Sequence, residues 1–191
     1  MKLSPYNVAF CGPAGGGKTT MAVALNAALN GKVLSFATHL KEEVAAAKGI
    51  TVQELNKNKA ELRSELQDYG TLKREEDPDY WIKHLDNDME RAYGYGTRTF
   101  LVDDLRLPNE YEHLKALGFM IVRVHENPHY HPHNEVSALH PAENYWQDFE
   151  VDLELPWIKP TMMNQRYMLE AMVERYRHLY GYVIERQAYG K

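Results

Sequence analysis

Cysteine is nearly missing from this sequence. Cys11 stands alone among 191 residues, which excludes an internal disulfide and fits a reducing cytoplasm. Long apolar runs are missing too: none approaches the roughly 18 residues that a membrane span needs, so no membrane partner is expected. The first residues lack the apolar core and small-residue cleavage site of a secretion signal, and a cytoplasmic location is the expectation. Positive charge is in deficit, with 22 Lys and Arg against 27 Asp and Glu and a net charge of −5. That balance argues against a dedicated nucleic-acid binder, although a local basic groove on an acidic protein still permits one. There is no internal repeat and no long low-complexity tract. The length fits a single domain over residues 1–191, with a good core and room for a small subdomain.

What the sequence does contain is concentrated near its start. Gly12-x-x-x-x-Gly17-Lys18-Thr19 is a complete phosphate-loop pattern. It follows Tyr6–Phe10, a candidate buried strand, and precedes Met21–Leu25, which reads as a helix. Glycines let successive backbone N–H groups point inward at phosphate oxygens, and the helix start adds the positive end of its dipole. The spacing therefore assigns ATP to Gly12, Gly15, Gly16, Gly17, Lys18, Thr19 and Thr20. Lys18, expected at the protein surface, would meet the β- and γ-phosphates, and the Thr19 hydroxyl would meet Mg²⁺. Cys11 reads as the end of the preceding strand.

Strands alternate with helices along the rest of the chain, which predicts an α/β fold with a parallel sheet flanked by helices. Val33–Phe36, Thr99–Asp104, Phe119–Val124 and Phe149–Leu155 read as strands. Residues from about 38 to 96 lack strand character and read as a helical insertion. Its expected helices are 41–48, 52–68 (followed by a turn at Gly70) and one opening at Asp77-Pro78, with Asp77 as its cap. Pro108–Leu117 and Thr161–Leu179 complete the helices, and 125–148 reads as a lid.

Two further groups of residues carry chemistry. Asp103 and Asp104 end a buried strand, where a carboxylate sits beside the phosphate loop and holds Mg²⁺; a strand-ending acid also serves as a plain helix cap. Lys59, Arg63 and Gln67 fall four apart and share one helical face, with Lys73 and Arg74 beyond Gly70. Two arginines converging on a cleft suit a bidentate grip on a second phosphate. The same pattern also describes a solvated charged face.

The wider sequence resembles the bacteriophage deoxynucleoside monophosphate kinases. Phe36-Ala37-Thr38-His39-Leu40-Lys41-Glu42-Glu43 resembles their "FADPLKE" segment. Arg63-x-x-x-Gln67-x-x-Gly70-Thr71-x-x-Arg74, with Asp77–Ile82, resembles their substrate segment, and Val102–Glu110 resembles their "SDVRFPNE" segment. With the phosphate loop, these matches cover most of residues 6–124 in the family's order. The resemblance implies a P-loop kinase fold with an acceptor-binding lobe, and transfer of the terminal phosphoryl of ATP to a deoxynucleoside monophosphate with Mg²⁺. Carried over residue by residue, it makes Lys18, Arg63, Arg74, Asp104 and Arg106 the catalytic candidates. Thr19, Asp103 and Asp104 become the metal candidates, with Asp104 favoured of the two acids because it begins the Asp-Leu-Arg segment, and Arg123 joins the ATP contacts. Thr38, Lys41, Arg63, Gln67, Arg74, Tyr80 and Trp81 become the acceptor contacts, although Tyr80 and Trp81 read equally well as core aromatics. The chain would act in the cytoplasm, a host's if it is phage-encoded, and a homodimer stays open.

The sequence departs from this pattern in two places. Thr38 and His39 replace the family's Asp-Pro, and the lid arginine expected after Arg123-Val124 gives way to a histidine-rich run. His125, His129, His131, His133 and His140 crowd sixteen residues, a stretch that fits a phosphate-contacting lid, a plain loop or a metal site. Two other functions therefore stand beside the kinase. One is a P-loop kinase acting on a modified base in DNA, and the other is a nucleotide-binding protein without activity.

Overall fold

Residues 3–4, 6–125 and 145–155 are described by a computed structural model of the chain. Five parallel strands form one sheet in the order β2-β3-β1-β4-β5. They are β1 (Val8–Cys11), β2 (Lys32–Leu34), β3 (Phe100–Val102), β4 (Met120–Val124) and β5 (Leu153–Leu155). The helices are α1 (Lys18–Leu29), α2 (Ala37–Lys48), α3 (Val52–Lys57), α4 (Arg63–Glu76), α5 (Tyr80–Gly94) and α6 (Pro108–Ala116). This is the α/β class that the alternation of elements predicts.

Every residue of β1 and β3 is buried, as a central parallel strand with both faces covered requires. The period of two divides their side chains between two cores. Val8, Phe10 and Leu101 pack with Met21, Ala22 and Leu25 of α1. Ala9, Cys11, Phe100 and Val102 pack with Leu85 and Met89 of α5 and Leu114 of α6. Truncating one of these side chains, such as the fully buried Leu25, costs about 2–5 kcal/mol by the usual large-to-small range. The strand order sets β3 directly beside β1. The acids after β3 are thereby delivered to the loop after β1, at the carboxyl ends of the strands where such sheets bind ligands.

Helices α2 to α5 lie between β2 and β3 in the chain. Val44, Ala45, Leu55 and Leu66 give this helical lobe a core of its own. Three boundaries differ from expectation. The helix expected over 52–68 is two helices: Thr51 and Glu54 form a capping box that starts α3, and Asn58, a poor helix former, ends it. Gly70 is no turn but a buried residue inside α4. A Cβ there would come within 3.4 Å of Leu40 and of the Arg74 guanidinium, so its absence lets α2 and α4 approach. The next helix begins at Tyr80 instead of at Asp77-Pro78. Pro78 holds Asp77 in extended backbone (φ −151°, ψ 104°), which closes α4 instead of opening α5.

The strand expected over 149–155 is confined to Leu153–Leu155, preceded by a 3-10 turn at Tyr145–Asp148. The helix expected over 161–179 and all but the edges of the 125–148 lid lie outside the described residues. Among the described residues no helix is long and apolar enough to cross a membrane.

Candidate functional site

The phosphate loop occupies the turn from β1 to α1, and its glycines answer to specific demands. Gly12 has φ +126°, and a Cβ there would lie 2.2 Å from the Val124 carbonyl oxygen of the adjacent strand. Gly17 caps α1 with φ +92°. Neither position accepts a side chain without backbone movement. No acidic residue occupies the first turn of α1, so its exposed N–H groups and partial positive charge stay available to an anion. Lys18 is buried, against the expectation of a surface position, because its Nζ donates to the carbonyls of Gly12 and Pro13 at 2.8 Å each. The loop therefore holds its own ammonium at the site.

The neighbouring acids Asp103 and Asp104 have different environments. Both oxygens of Asp104 are occupied: Oδ1 accepts from Phe36 N at 2.9 Å, and Oδ2 from Ser35 Oγ at 2.6 Å and Ala37 N at 2.9 Å. This carboxylate fastens the first residues of α2, which explains why α2 begins earlier than the sequence suggests. Asp103 is buried, and its Oδ1 has no hydrogen-bond partner. Burial, followed by the repulsion of Asp104, pushes its carboxyl above the usual range, with Thr19, Lys41 and Lys18 acting in the opposite direction. An unpaired acid oxygen next to a threonine hydroxyl suits a hard divalent cation, so the residues present fit Mg²⁺. Of the two acids, Asp103 carries that fit.

A cavity of about 620 Å³ runs from the phosphate loop into the helical lobe. Lys18 and Thr19 line its first end together with Asp103. Lys41, Lys59, Arg63 and Arg106 line it as well. Lys59 sits exposed at the rim, yet desolvation by the surrounding protein and repulsion from Lys41, Arg106 and Arg63 hold its ammonium below the usual lysine range. Only Asp104 opposes that effect. Such mutual repulsion marks a place where an anion is favoured.

Arg74 belongs to a different neighbourhood. Its guanidinium donates to Thr71 Oγ1 at 3.2 Å, and among the described residues the charged group acting on it is Glu110. Glu110 is buried in the same cavity. Its Oε2 accepts from the N–H groups of Arg106 and Leu107, both at 3.0 Å, which closes the start of α6. Burial, then Asp104, pushes its carboxyl up to about 7, while those N–H groups and Arg74 oppose the rise. Arg63 and Arg74 both line the cavity, as expected of two arginines converging on a cleft; they differ in the charges around them, Arg63 acting on Lys59 and Arg74 on the buried Glu110.

Most of the residues expected from the sequence line this cavity, including Gly15, Gly17, Thr20, Gln67 and Trp81. Gly12, Gly16, Thr38, Tyr80 and Arg123 do not. Tyr80 Oη donates to Glu43 at 2.9 Å, on the far side of the lobe helices. Trp81 reaches the cavity while its Nε1 donates to the Gly70 carbonyl at 3.3 Å, and so serves as both wall and core. Arg123 is engaged elsewhere. It pairs with Glu154 at 2.6 Å and donates to the carbonyls of Trp146, Gln147 and Phe149, clasping the segment before β5. Sequence reasoning missed Ser35 and Glu110 as lining residues; Glu110 stood in a quoted motif, but nothing in its spacing signals burial. Burial raises the Cys11 thiol to about 11, leaving it protonated at neutral pH. Among the described residues no cluster of three or more His, Cys, Asp or Glu side chains is arranged to hold a metal ion. Most of the histidine-rich run lies outside those residues.

No protein-family model matches the chain, and no curated protein matches it. Among solved structures it is similar to shikimate kinase from Aquifex aeolicus vf5, with a TM-score of 0.44 and 13% identity over 97% of this chain and 99% of that one.

Proposed function

We propose that the protein transfers the terminal phosphoryl group of ATP to a deoxynucleoside monophosphate. The observation that carries this reading is one cavity lined by two sets of anion-binding groups: the phosphate loop, and the cations Lys41, Lys59, Arg63 and Arg106. A donor and an acceptor phosphate held in one cavity are what a phosphoryl transfer between nucleotides requires. The sequence resemblance supplies the class of acceptor.

ATP supplies the phosphoryl group, and Mg²⁺ neutralises its oxygens when bound, with Thr19 and Asp103 as the residues that would hold the metal. Lys18 and the N–H groups of the loop bind the donor phosphates. The cation cluster binds the acceptor phosphate and spreads the charge of the transition state. Asp104 acts at one remove, by fixing the start of α2 and with it Lys41. No side chain has to remove a proton, because the attacking phosphate oxygen is already ionised at neutral pH. Alignment of two bound reactants supplies on the order of 7–11 kcal/mol in favourable cases.

The test is transfer of radiolabel from γ-labelled ATP, with Mg²⁺, to each of the four common deoxynucleoside monophosphates. The expected product is a labelled deoxynucleoside diphosphate. Label found only in added DNA favours the DNA kinase instead, and no transfer at all leaves a nucleotide-binding protein.

A further inference from the structure

The cavity also holds a carboxylate that the phosphoryl transfer does not use. Glu110 is 5% exposed. Its Oε2 is taken by two backbone N–H groups, whereas no hydrogen bond reaches Oε1 among the described residues, and the residue lines the cavity. Arg74 lines the same cavity and is the opposing charge that acts on it, more weakly than the two N–H groups. Arg74 folds against Gly70, whose carbonyl accepts from Trp81, so the acid, the guanidinium and the indole belong to one corner. Leu66 and Leu107 add apolar wall.

This corner is built unlike the rest of the cavity. A phosphate is repelled by Glu110 and by Asp104 next to it, and finds its cations at Lys41, Lys59, Arg63 and Arg106 instead. An apolar wall with one acceptor and one donor group suits a flat heterocycle with an N–H beside a lone pair. Resting on the kinase reading above, we propose that Glu110 is the specificity-determining residue of the acceptor site. Its free oxygen takes a hydrogen bond from an N–H on the Watson–Crick edge of the acceptor base, while Arg74 donates to the neighbouring acceptor atom. The rise of the Glu110 carboxyl toward 7 agrees with a buried acid lacking one of its donors.

The experiment compares binding by calorimetry of natural deoxynucleoside monophosphates with that of their purine and 2-pyrimidinone counterparts. These keep a ring-nitrogen acceptor but carry no N–H on that edge, and they add no bulk. Measured above about pH 7, where the Glu110 carboxyl is ionised, the counterpart of the best natural ligand is expected to bind the wild-type protein roughly tenfold or more weakly, as loss of a hydrogen bond to a charged group dictates. In Glu110→Gln the amide oxygen can still receive the Arg106 and Leu107 N–H groups, which turns an amino group toward the ligand. There the gap is expected to close or reverse. Equal wild-type affinities overturn the inference, and so does a gap that Glu110→Gln leaves unchanged. A Glu110-dependent loss caused by removing the 3′-hydroxyl instead of the base N–H also overturns it. The wild-type comparison stands even if the variant does not fold. If no monophosphate binds, the kinase reading fails together with this inference; if monophosphates are phosphorylated but the donor-free bases bind equally, only the inference fails.

Discussion

The two ends of the cavity are made of different material. At the proposed donor end the groups offered to a phosphate are backbone N–H groups and one lysine, all within the turn from β1 to α1. At the proposed acceptor end they are side chains from α2, α4 and two loops, brought together only by packing. A site written in backbone has to be written in consecutive residues, so glycine spacing announces it. A site written in side chains from several helices leaves only scattered cations, which look the same on a solvated face. The donor end is also rigidly specified, since a Cβ at Gly12 meets the Val124 carbonyl at 2.2 Å. The acceptor end, held by Trp81 on Gly70 and by Asp104 on α2, can vary its chemistry without altering the loop.

The largest effect is expected at the donor end. Lys18→Ala should lower the rate of phosphoryl transfer by on the order of 10²–10³-fold, measured with saturating nucleotides. Because Lys18 is buried and bonded to two carbonyls, a thermal melt should also register some loss of stability. A wild-type rate would remove Lys18 from the reaction.

At the acceptor end, Arg63→Ala should raise the KM for the acceptor by roughly 10- to 150-fold while sparing ATP binding. Arg74→Ala should act differently: it leaves Glu110 without its opposing charge, so acceptor affinity and thermal stability should fall together. Identical kinetic signatures for the two variants would erase the distinction between their neighbourhoods.

The acids at the junction offer a finer contrast. Asp103→Asn should raise the Mg²⁺ concentration needed for half-maximal activity by roughly tenfold, since a charged oxygen contact is lost. Asp104→Asn should leave the Mg²⁺ requirement in place and cost about 1–3 kcal/mol of stability by disturbing the start of α2. A Mg²⁺ titration with each variant decides it, and a shift confined to Asp104→Asn would reverse the assignment.

The sequence made the sheet legible because buried parallel strands are continuous apolar runs; Val8–Cys11 and Phe100–Val102 are such runs. It made the phosphate loop legible for the reason given above. It did not reveal that Gly70 lies inside α4, because a glycine looks the same whether it breaks a helix or admits a neighbour. It favoured Asp104 over Asp103 for the metal, whereas both Asp104 oxygens hold the start of α2; which carboxylate is left open is settled by the β2–α2 turn. Nor did it show Arg123 turned toward the segment before β5, a contact made with residues more than twenty positions away.

At Glu110 the contrast takes the form of a pH dependence. Its carboxyl is raised from 4.5 to about 7 in the folded protein, so the folded state binds the proton more tightly than the unfolded chain. The stability this contributes is fully present below the unfolded value of 4.5 and is lost as pH rises through about 7. Relative to Glu110→Gln, the wild-type protein should lose about 3 kcal/mol across that window, as denaturant midpoints at several pH values would show. Parallel curves for the two proteins would mean that the acid is not strained by its burial.

If the two ends serve one reaction, a single ligand should be able to occupy both. The measurement is calorimetric binding of a bisubstrate compound, adenosine joined through a polyphosphate chain to the deoxynucleoside of the best acceptor. The account predicts affinity roughly 10²-fold or more above that of ATP alone, because the second end is engaged without a second loss of translational freedom. It further predicts that Lys18→Ala and Arg63→Ala each remove most of that gain. Affinity equal to that of ATP, unmoved by Arg63→Ala, would contradict it.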